Sequence, residues 1–312
     1  TCSDCPDPHT QKLRAEGNAA CAGCHSPVKY DSDSHHRHPQ GSTGAHCAHC
    51  HMPETTYIQI EPLRDHSLRV PRPDLSIGTE TPNACSSCHR EDDAKWAADA
   101  IKAWGKQPKG HQQSAAAFAA AAGGNADANV RLANVATGPE HPAIARAGAL
   151  ELLAGYPTPM SAFAAEKALR DADPLVRRAA VTALQALPPE RRLPLLAPLL
   201  RDPVRSVRME AASALADGMQ GASAEQQQAF AKAAGEFEAA QKFNADTPEA
   251  RTALGSFHAR QGRLAEAEAR LLSALKLEPR YVPAYVNLAD LYRLMGRDAD
   301  CARTQRACFG PV

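Results

Sequence analysis

The sequence predicts a mostly α-helical protein in two parts, an irregular N-terminal domain followed by an α-solenoid of helix pairs. Eight of the ten cysteines precede residue 90 and the next is Cys301, and ten of the thirteen histidines lie at or before His89. The rest of the chain is rich in alanine and leucine and contains internal repeats, a pattern typical of stacked helices. The N-terminal part therefore has the composition of a cofactor-binding domain, and the remainder that of a helical scaffold.

The charge and cysteine content narrow the classes of function. Lysine and arginine total 35, as do aspartate and glutamate, so bulk charge favours neither a nucleic acid nor an anionic membrane as partner. No apolar run approaches the length of a membrane span. Ten cysteines are too many for an ordinary cytosolic protein, and the first residue is Thr1 rather than methionine. We expect a mature, exported protein of the periplasm or the cell surface.

One motif, Cys-x-x-Cys-His, occurs three times. It comprises Cys21, Cys24 and His25, then Cys47, Cys50 and His51, and finally Cys85, Cys88 and His89. This is the attachment signature of c-type haem, in which the thiols bind the porphyrin covalently and the histidine is the proximal iron ligand. A random order of the same residues would give about 0.01 such motifs. Zinc would explain the thiol pairs but not the histidine after each of them, so we predict three covalent haems.

Spare histidines in the same region supply candidates for the distal iron ligands. His35 and His38 lie three residues apart and would share one face of a helical turn, so we predict that they bind two different haems. His66 lies ahead of Pro71 in a proline-rich segment that we expect to be extended, and it is the third predicted distal ligand. The histidines interpreted as surface side chains or lower-ranked candidates are His9, His36, His46 and His49.

Four further segments carry a family resemblance. They are Gly44 to Pro53, Arg64-Asp65-His66-Ser67, Pro71-Arg72-Pro73-Asp74-Leu75 and Thr81-Pro82-Asn83-Ala84-Cys85. Together they resemble multihaem cytochromes of the cytochrome c554-like class that carry tetratricopeptide repeats, over roughly residues 15 to 105. The resemblance implies bis-histidine haems of low potential and supports the three predicted distal ligands. Substrate chemistry does not follow from it, because such families include both electron carriers and nitrogen-cycle enzymes.

The middle of the chain contains a repeat that begins with Asp-Pro. The run from Asp173 to Leu184 recurs from Asp202 to Leu215, and a weaker copy begins at His141. This pattern resembles the short HEAT-like repeat, in which Asp-Pro opens a helix with a buried apolar stripe. We therefore predict HEAT-like repeats over residues 126–220. The three haem-attachment motifs predict a triheme cytochrome domain over residues 1–110.

A 34-residue period follows over residues 225–312. Five residues fall at the spacing of the tetratricopeptide consensus, and they are Gly255, Ala267, Leu271, Ala274 and Pro279. Such solenoids either bind partners on a concave face or serve as scaffolds, and the sequence leaves both roles open. The histidines of this helical part, interpreted as surface or packing residues, are His111, His141 and His258.

Electron transfer by the three haems is the leading functional hypothesis, with redox proteins as partners and no catalytic residues. The alternative is a multihaem oxidoreductase acting on a small nitrogen or sulfur compound, which would need a haem with an open distal side. The chain offers more spare histidines than irons, which favours the carrier. A third hypothesis is an adaptor in which the haem domain is a redox sensor.

The four cysteines outside the motifs raise the possibility of assembly. Three haems make a short conductor, so we predict a homo-oligomer or filament in which haems of successive subunits meet. Cys301 and Cys308 would lie about 10.5 Å apart along one helix, too far for a disulfide, so they would remain thiols or pair with Cys2 and Cys5. A bond between Cys2 and Cys5 is the equal alternative.

Overall fold

The chain is mostly α-helical in a computed structural model that describes residues 2–57, 60–105 and 112–309. It divides into two compact units, Thr1–Ala119 and Ala120–Val312. His111 and the side chain of Cys2 lie outside the described part of the protein. The division into domains at residues 110, 126, 220 and 225 stays a prediction, and the boundary between the two units falls after Ala119.

The first unit is built from short elements joined by turns. Its helices are α1 (Ala19–Ala22), α2 (Pro27–Tyr30), α3 (Asp33–His36), α4 (Cys47–His51), α5 (Pro73–Thr79) and α6 (Ala94–Ala103), while α7 (Ala115–Ala122) crosses the boundary between the units. Strands β1 (Glu54–Tyr57) and β2 (Glu61–Arg64) form an antiparallel hairpin in which Glu54 is paired with Arg64. The segment between β2 and α5 contains no helix, as its prolines predict.

Protein side chains form almost no apolar core in this unit. Within residues 2–57 and 60–105, the buried apolar side chains are Ala45, Pro73 and Ala97. Larger apolar residues such as Val28 and Ile60 are exposed, at 91% and 83%. Apolar burial is the main favourable contribution to folding, so this unit lacks the usual internal source of stability.

The second unit is a solenoid of packed helices. They are α8 (Ala128–Thr137), α9 (Ala143–Leu153), α10 (Pro159–Ala168), α11 (Pro174–Ala183), α12 (Pro189–Leu196), α13 (Arg205–Ala214), α14 (Ala224–Phe243), α15 (Pro248–Arg260), α16 (Leu264–Leu277), α17 (Val282–Leu294) and α18 (Asp298–Phe309). Neighbouring helices pack on each other through alanine, leucine and valine, many of them fully buried. The predicted mostly α fold with a solenoid is therefore confirmed.

The repeated Asp-Pro sequence plays two different structural roles. Asp173 caps α11 by accepting the amide of Leu175 at 2.9 Å, as predicted for the opening of a helix. Asp202 likewise accepts the amide two residues ahead, that of Val204 at 2.8 Å, but it also accepts the guanidinium of Arg177 at 2.7 Å, and α13 begins only at Arg205. The second copy therefore uses its aspartate to join adjacent repeats.

The C-terminal helix pairs recur at the predicted interval. Helices α15 and α17 begin at Pro248 and Val282, and α16 and α18 begin at Leu264 and Asp298, so both members of the pair return after 34 residues. A β-carbon on Gly255 would lie 2.8 Å from Leu271 Cγ, which explains why glycine is needed where α15 meets α16. The tetratricopeptide assignment itself stays a prediction.

Two further predictions concern single residues of this unit. Helix α18 is continuous from Asp298 to Phe309, so its two cysteines lie on one helix as expected, Cys301 buried and Cys308 partly buried. His258 is 1% exposed and packs inside the unit. No helix in the described ranges is long and apolar enough to cross a membrane.

Candidate haem-binding site

Each of the three motifs folds as one helical turn. The amide of His25 donates to the carbonyl of Cys21 at 3.0 Å, and the amide of His89 donates to that of Cys85 at 2.9 Å. The second motif is helix α4 itself. Residues three and four apart share a helix face, so the two thiols and the imidazole of each motif lie on one side, as covalent attachment and iron ligation together require.

The β1–β2 hairpin returns the chain to the second motif and fixes its histidine. The amide of Arg69 donates to the carbonyl of His51 at 2.9 Å, and His51 Nδ1 lies 2.7 Å from the carbonyl oxygen of Arg69. A carbonyl can only accept, so Nδ1 carries the proton and Nε2 keeps its lone pair. Such a backbone contact orients metal-binding histidines in general. The ring of His51 is therefore prepared to bind iron through Nε2.

Two of the predicted distal ligands have the same arrangement. His38 Nδ1 lies 2.5 Å from the carbonyl oxygen of His36, and His66 Nδ1 lies 2.8 Å from that of Arg64. His49 also bonds through Nδ1, to the carbonyl of Thr43 at 2.8 Å, a feature that its sequence position did not indicate.

His36 is held through its Nδ1. This nitrogen accepts the amide of His38 at 3.3 Å, while the Nε2 of His36 is buried without a hydrogen-bond partner in the described part of the chain. A buried imidazole nitrogen without a partner is open to a metal, so His36 stays a lower-ranked candidate for a distal ligand.

Two of the predicted distal histidines face two different proximal histidines. The ring centres of His35 and His51 lie 6.2 Å apart with their planes 17° from parallel. Those of His38 and His89 lie 6.1 Å apart at 49°. Two imidazoles on opposite sides of one metal, each bound through a nitrogen about 2 Å from it, have ring centres roughly 6 Å apart. The separation of the ring centres in both pairs therefore matches that of two histidines bound to one iron.

The predicted helical turn through His35 and His38 is wrong. They do not share a helical turn, because α3 ends at His36 and Arg37 adopts a left-handed conformation with φ 61°. His38 lies beyond this reversal, with its ring against Gly44. A β-carbon on Gly44 would lie 2.2 Å from His38 Cδ2, so only glycine leaves room for the ring.

Comparison with known proteins agrees with this geometry. Residues 5–90 match the family model described as cytochrome c7 and related cytochrome c. Residues 5–90 are a cytochrome c7-like multihaem domain. Residues 132–216 match the family model for HEAT repeats, and no curated protein and no solved structure matches the chain. The multihaem cytochrome with HEAT-like repeats predicted from the sequence is confirmed, although the matched family is described as cytochrome c7 and not as c554-like.

The motif cysteines of the cytochrome c7-like domain lie close to one another. Burial, together with the neighbouring thiol of Cys21, raises the pKa of Cys47 to about 11. Burial, with smaller contributions from Cys85 and Cys88, also raises the pKa of Cys50. The second motif therefore has thiols of the first motif near one of its cysteines and thiols of the third near the other.

The first motif of the cytochrome c7-like domain has an aromatic neighbour. The ring of Tyr30 lies edge-on to His25, with centres 5.6 Å apart, and edge-on to His35, with centres 5.3 Å apart. Tyr30 thus lies between the proximal histidine of the first motif and His35, the predicted distal ligand of a different haem. His66 follows β2, and its role as the third distal ligand stays a prediction.

Sequence reasoning missed several supporting residues. The indole of Trp96 lies 4.7 Å from the His89 ring, and Asp92 Oδ2 lies 3.8 Å from His89 Nδ1. Asp93 caps α6 by accepting the amide of Trp96 at 2.7 Å, which fixes where the indole lies. The cap was readable from the sequence, but the contact with His89 depends on tertiary structure. Arg69 acts through its backbone carbonyl and left no signal in the sequence.

Proposed function

We propose that the chain is a triheme electron-transfer protein. Three c-type haems are attached at Cys21 and Cys24, Cys47 and Cys50, and Cys85 and Cys88, with proximal ligands His25, His51 and His89. His35 is the distal ligand opposite His51, His38 is opposite His89, and His66 completes the first haem. The cytochrome c7-like family match supports covalent haem.

The spacing of the two histidine ring pairs carries this proposal. Rings 6.1 and 6.2 Å apart fit six-coordinate iron with histidine on both sides. Such iron has no free coordination position for a substrate, so it suits one-electron transfer. The protein contributes covalent attachment, ring orientation through Nδ1 and the surroundings that set each potential.

The neighbourhood of the cysteines supports an order for the electron path. The second motif lies near the first, because Asn18, three residues before Cys21, accepts the amide of Cys47 at 2.9 Å. It lies near the third because His35 and His38, three residues apart, have their rings about 6 Å from those of His51 and His89. The second haem therefore connects the first to the third.

The repeats complete the proposed function as a scaffold or a docking surface for redox partner proteins. We place the protein outside the cytoplasm, in the periplasm or at the cell surface, where c-type haem proteins and their partners meet. A homo-oligomer or filament that brings haems of successive subunits together would extend the path beyond three haems.

The decisive experiment measures haem number and coordination in the purified protein. Mass measurement after denaturation should give three retained haems, and the oxidised and reduced spectra should be low-spin throughout. His35→Ala and His38→Ala should each make one haem high-spin, whereas His46→Ala, which changes a histidine outside the predicted set, should leave the spectrum unchanged. Fewer than three haems would contradict the proposal. So would an unchanged spectrum in both His35→Ala and His38→Ala.

A multihaem oxidoreductase for a small nitrogen or sulfur compound is the second candidate. The observation in its favour is that the described ring beside His25 belongs to Tyr30, a side chain able to donate a proton. A high-spin first haem in the unmodified protein, with activity lost in Tyr30→Phe, would favour this function over electron transfer alone.

A further inference from the structure

The side-chain amide of Asn18 joins the first haem-binding motif to the second. Its Nδ2 donates to Asp31 Oδ1 and to the carbonyl of Ala45, both at 2.9 Å, and its Oδ1 accepts the amide of Cys47 at 2.9 Å. All three distances are those of good hydrogen bonds, and they use three of the four bonds available to the amide. Asn18 lies three residues before Cys21, so it connects the two attachment segments directly.

The surroundings of Asn18 make this connection firm. Ala45 is 3% exposed, and hydrogen bonds shielded from water are electrostatically stronger. Gln40 also donates to Asp31 Oδ1, at 3.2 Å, which holds the carboxylate that Asn18 binds.

The junction also places an aromatic ring between the two sites. Asp31 directly follows Tyr30, whose ring contacts His25 and His35 edge-on. Holding Asp31 therefore holds the segment that carries Tyr30 between the proximal ligand of the first haem and the proposed distal ligand of the second.

We propose that Asn18 is the positioning residue that fixes the separation of the first and second haems, and with it the electron exchange between them. The inference rests on the proposed function. Asn18 acts through the Cys47 amide and the Asp31 carboxylate. Because charge interactions fall with distance, a change in haem separation alters how the oxidation of one haem affects the potential of the other.

The third motif contains a matched asparagine that makes no such connection. Asn83 Oδ1 accepts the amides of Cys85 at 3.1 Å and Ser86 at 3.2 Å, and its Nδ2 donates to Ser86 Oγ at 3.0 Å. These bonds stay within three residues. Asn83 thus has the chemistry of Asn18 without a partner in another motif, which makes it the natural control.

The test compares Asn18→Ala, Asn18→Asp and Asn83→Ala by potentiometric titration and by electron paramagnetic resonance of the oxidised protein. Both Asn18 variants should keep three low-spin haems, yet shift the midpoint potentials of the first two and lose their spin coupling. Asn83→Ala should change neither the midpoint potentials of the first two haems nor their spin coupling. Asn18→Asp places a carboxylate beside Asp31, and adding Asp31→Asn should restore part of the coupling, because the new amide can donate to the new carboxylate.

The outcomes separate this inference from the proposed function. Unchanged potentials and coupling in Asn18→Ala, or equal changes in Asn83→Ala, overturn the inference while leaving three haems in place. Fewer than three haems in the unmodified protein overturns the proposed function instead. If Asn18→Ala loses its haems, the test relies on Asn18→Asp and on the double variant that adds Asp31→Asn. If the double variant restores none of the spin coupling lost in Asn18→Asp, the inference is overturned.

Discussion

The two units of this protein are stabilised in different ways. In the solenoid, Leu150, Val176 and Leu184 are completely buried, as are many smaller side chains. In the cytochrome c7-like domain, the buried apolar side chains among residues 2–57 and 60–105 are the small residues Ala45, Pro73 and Ala97. Burying a leucine contributes about 1.5 to 3 kcal/mol, so the solenoid can fold on its own side chains. We expect the haem domain to depend instead on apolar surface supplied by covalently attached haem.

The largest expected effect comes from preventing haem attachment. Replacing all six motif cysteines with alanine should leave residues 2–105 without a core, because too little apolar surface remains to offset the conformational entropy of the chain. Limited proteolysis should then cut within the first unit, while far-UV circular dichroism should retain the helices of the second. The control replaces Cys301 and Cys308, which lie outside the motifs, with alanine. It should leave both units folded. If the first unit resisted proteolysis without haem, the two units would not differ in their source of stability.

The next effect in size concerns one haem. Gly44→Ala would place a methyl group 2.2 Å from His38 Cδ2, so we expect the His38 ring to be displaced and one haem to become high-spin. Gly78→Ala is the matched control, since Gly78 lies in α5 outside the three motifs and a β-carbon there meets nothing within 4 Å. Visible and electron paramagnetic resonance spectra distinguish the two, and an unchanged low-spin spectrum in Gly44→Ala would count against His38 as a ligand.

A core substitution should act on the solenoid alone. Leu150→Ala, at 0% exposure in α9, should lower the free energy of unfolding by about 2 to 5 kcal/mol. Leu152, in the same helix, is 41% exposed, and its replacement by alanine should change that free energy by about 0.5 kcal/mol or less. Denaturant unfolding followed by circular dichroism measures both. A change of haem spectrum in Leu150→Ala at low denaturant would show that the units are not stabilised separately.

The smallest expected effect is a pH dependence of the solenoid. Burial alone would raise the pKa of Glu238, but bonds from Arg263 at 2.6 Å and Lys242 at 3.0 Å lower the pKa from 4.5 to about 2. A carboxyl whose pKa is lowered by folding stabilises the protein above the unfolded pKa, and this stability is lost as the pH falls from 4.5 towards about 2.

Glu238→Gln tests this dependence. It should lower the free energy of unfolding by about 1.5 to 3 kcal/mol at neutral pH and remove most of the decline below pH 4.5. The control is Glu225→Gln, whose bond to Arg201 is exposed on both sides and should contribute about 1 kcal/mol or less. Equal acid sensitivity in Glu238→Gln and the unmodified protein would refute the assignment.

The sequence predicted the features that depend on local pattern. Three Cys-x-x-Cys-His motifs identified the N-terminal part as a multihaem domain, and the 34-residue period agrees with the interval at which α15 and α16 recur as α17 and α18. Gly255 was identified by its position in that period, and the structure shows that two helices approach closely there. These predictions rest on short-range chemistry or on repetition, and both are visible in a single chain.

Contacts between distant segments were not predictable. The bonds from Asn18 to Asp31, Ala45 and Cys47 join residues that no periodicity relates, and the carbonyl of Arg69 has no side-chain signature. The assumption of one helical turn through His35 and His38 was wrong because spacing alone does not reveal that Arg37 reverses the backbone. Which proximal histidine faces each distal one likewise depended on the fold.

The left-handed conformation of Arg37 restricts how this segment can vary in related chains. That conformation costs an L-residue about 1 to 2 kcal/mol, and glycine would relieve the cost while giving His38 more freedom in the unfolded chain. Removing the residue would instead carry His38 back beside His35 and away from Gly44. Related chains should therefore accept different side chains at position 37 but conserve the number of residues between the two histidines.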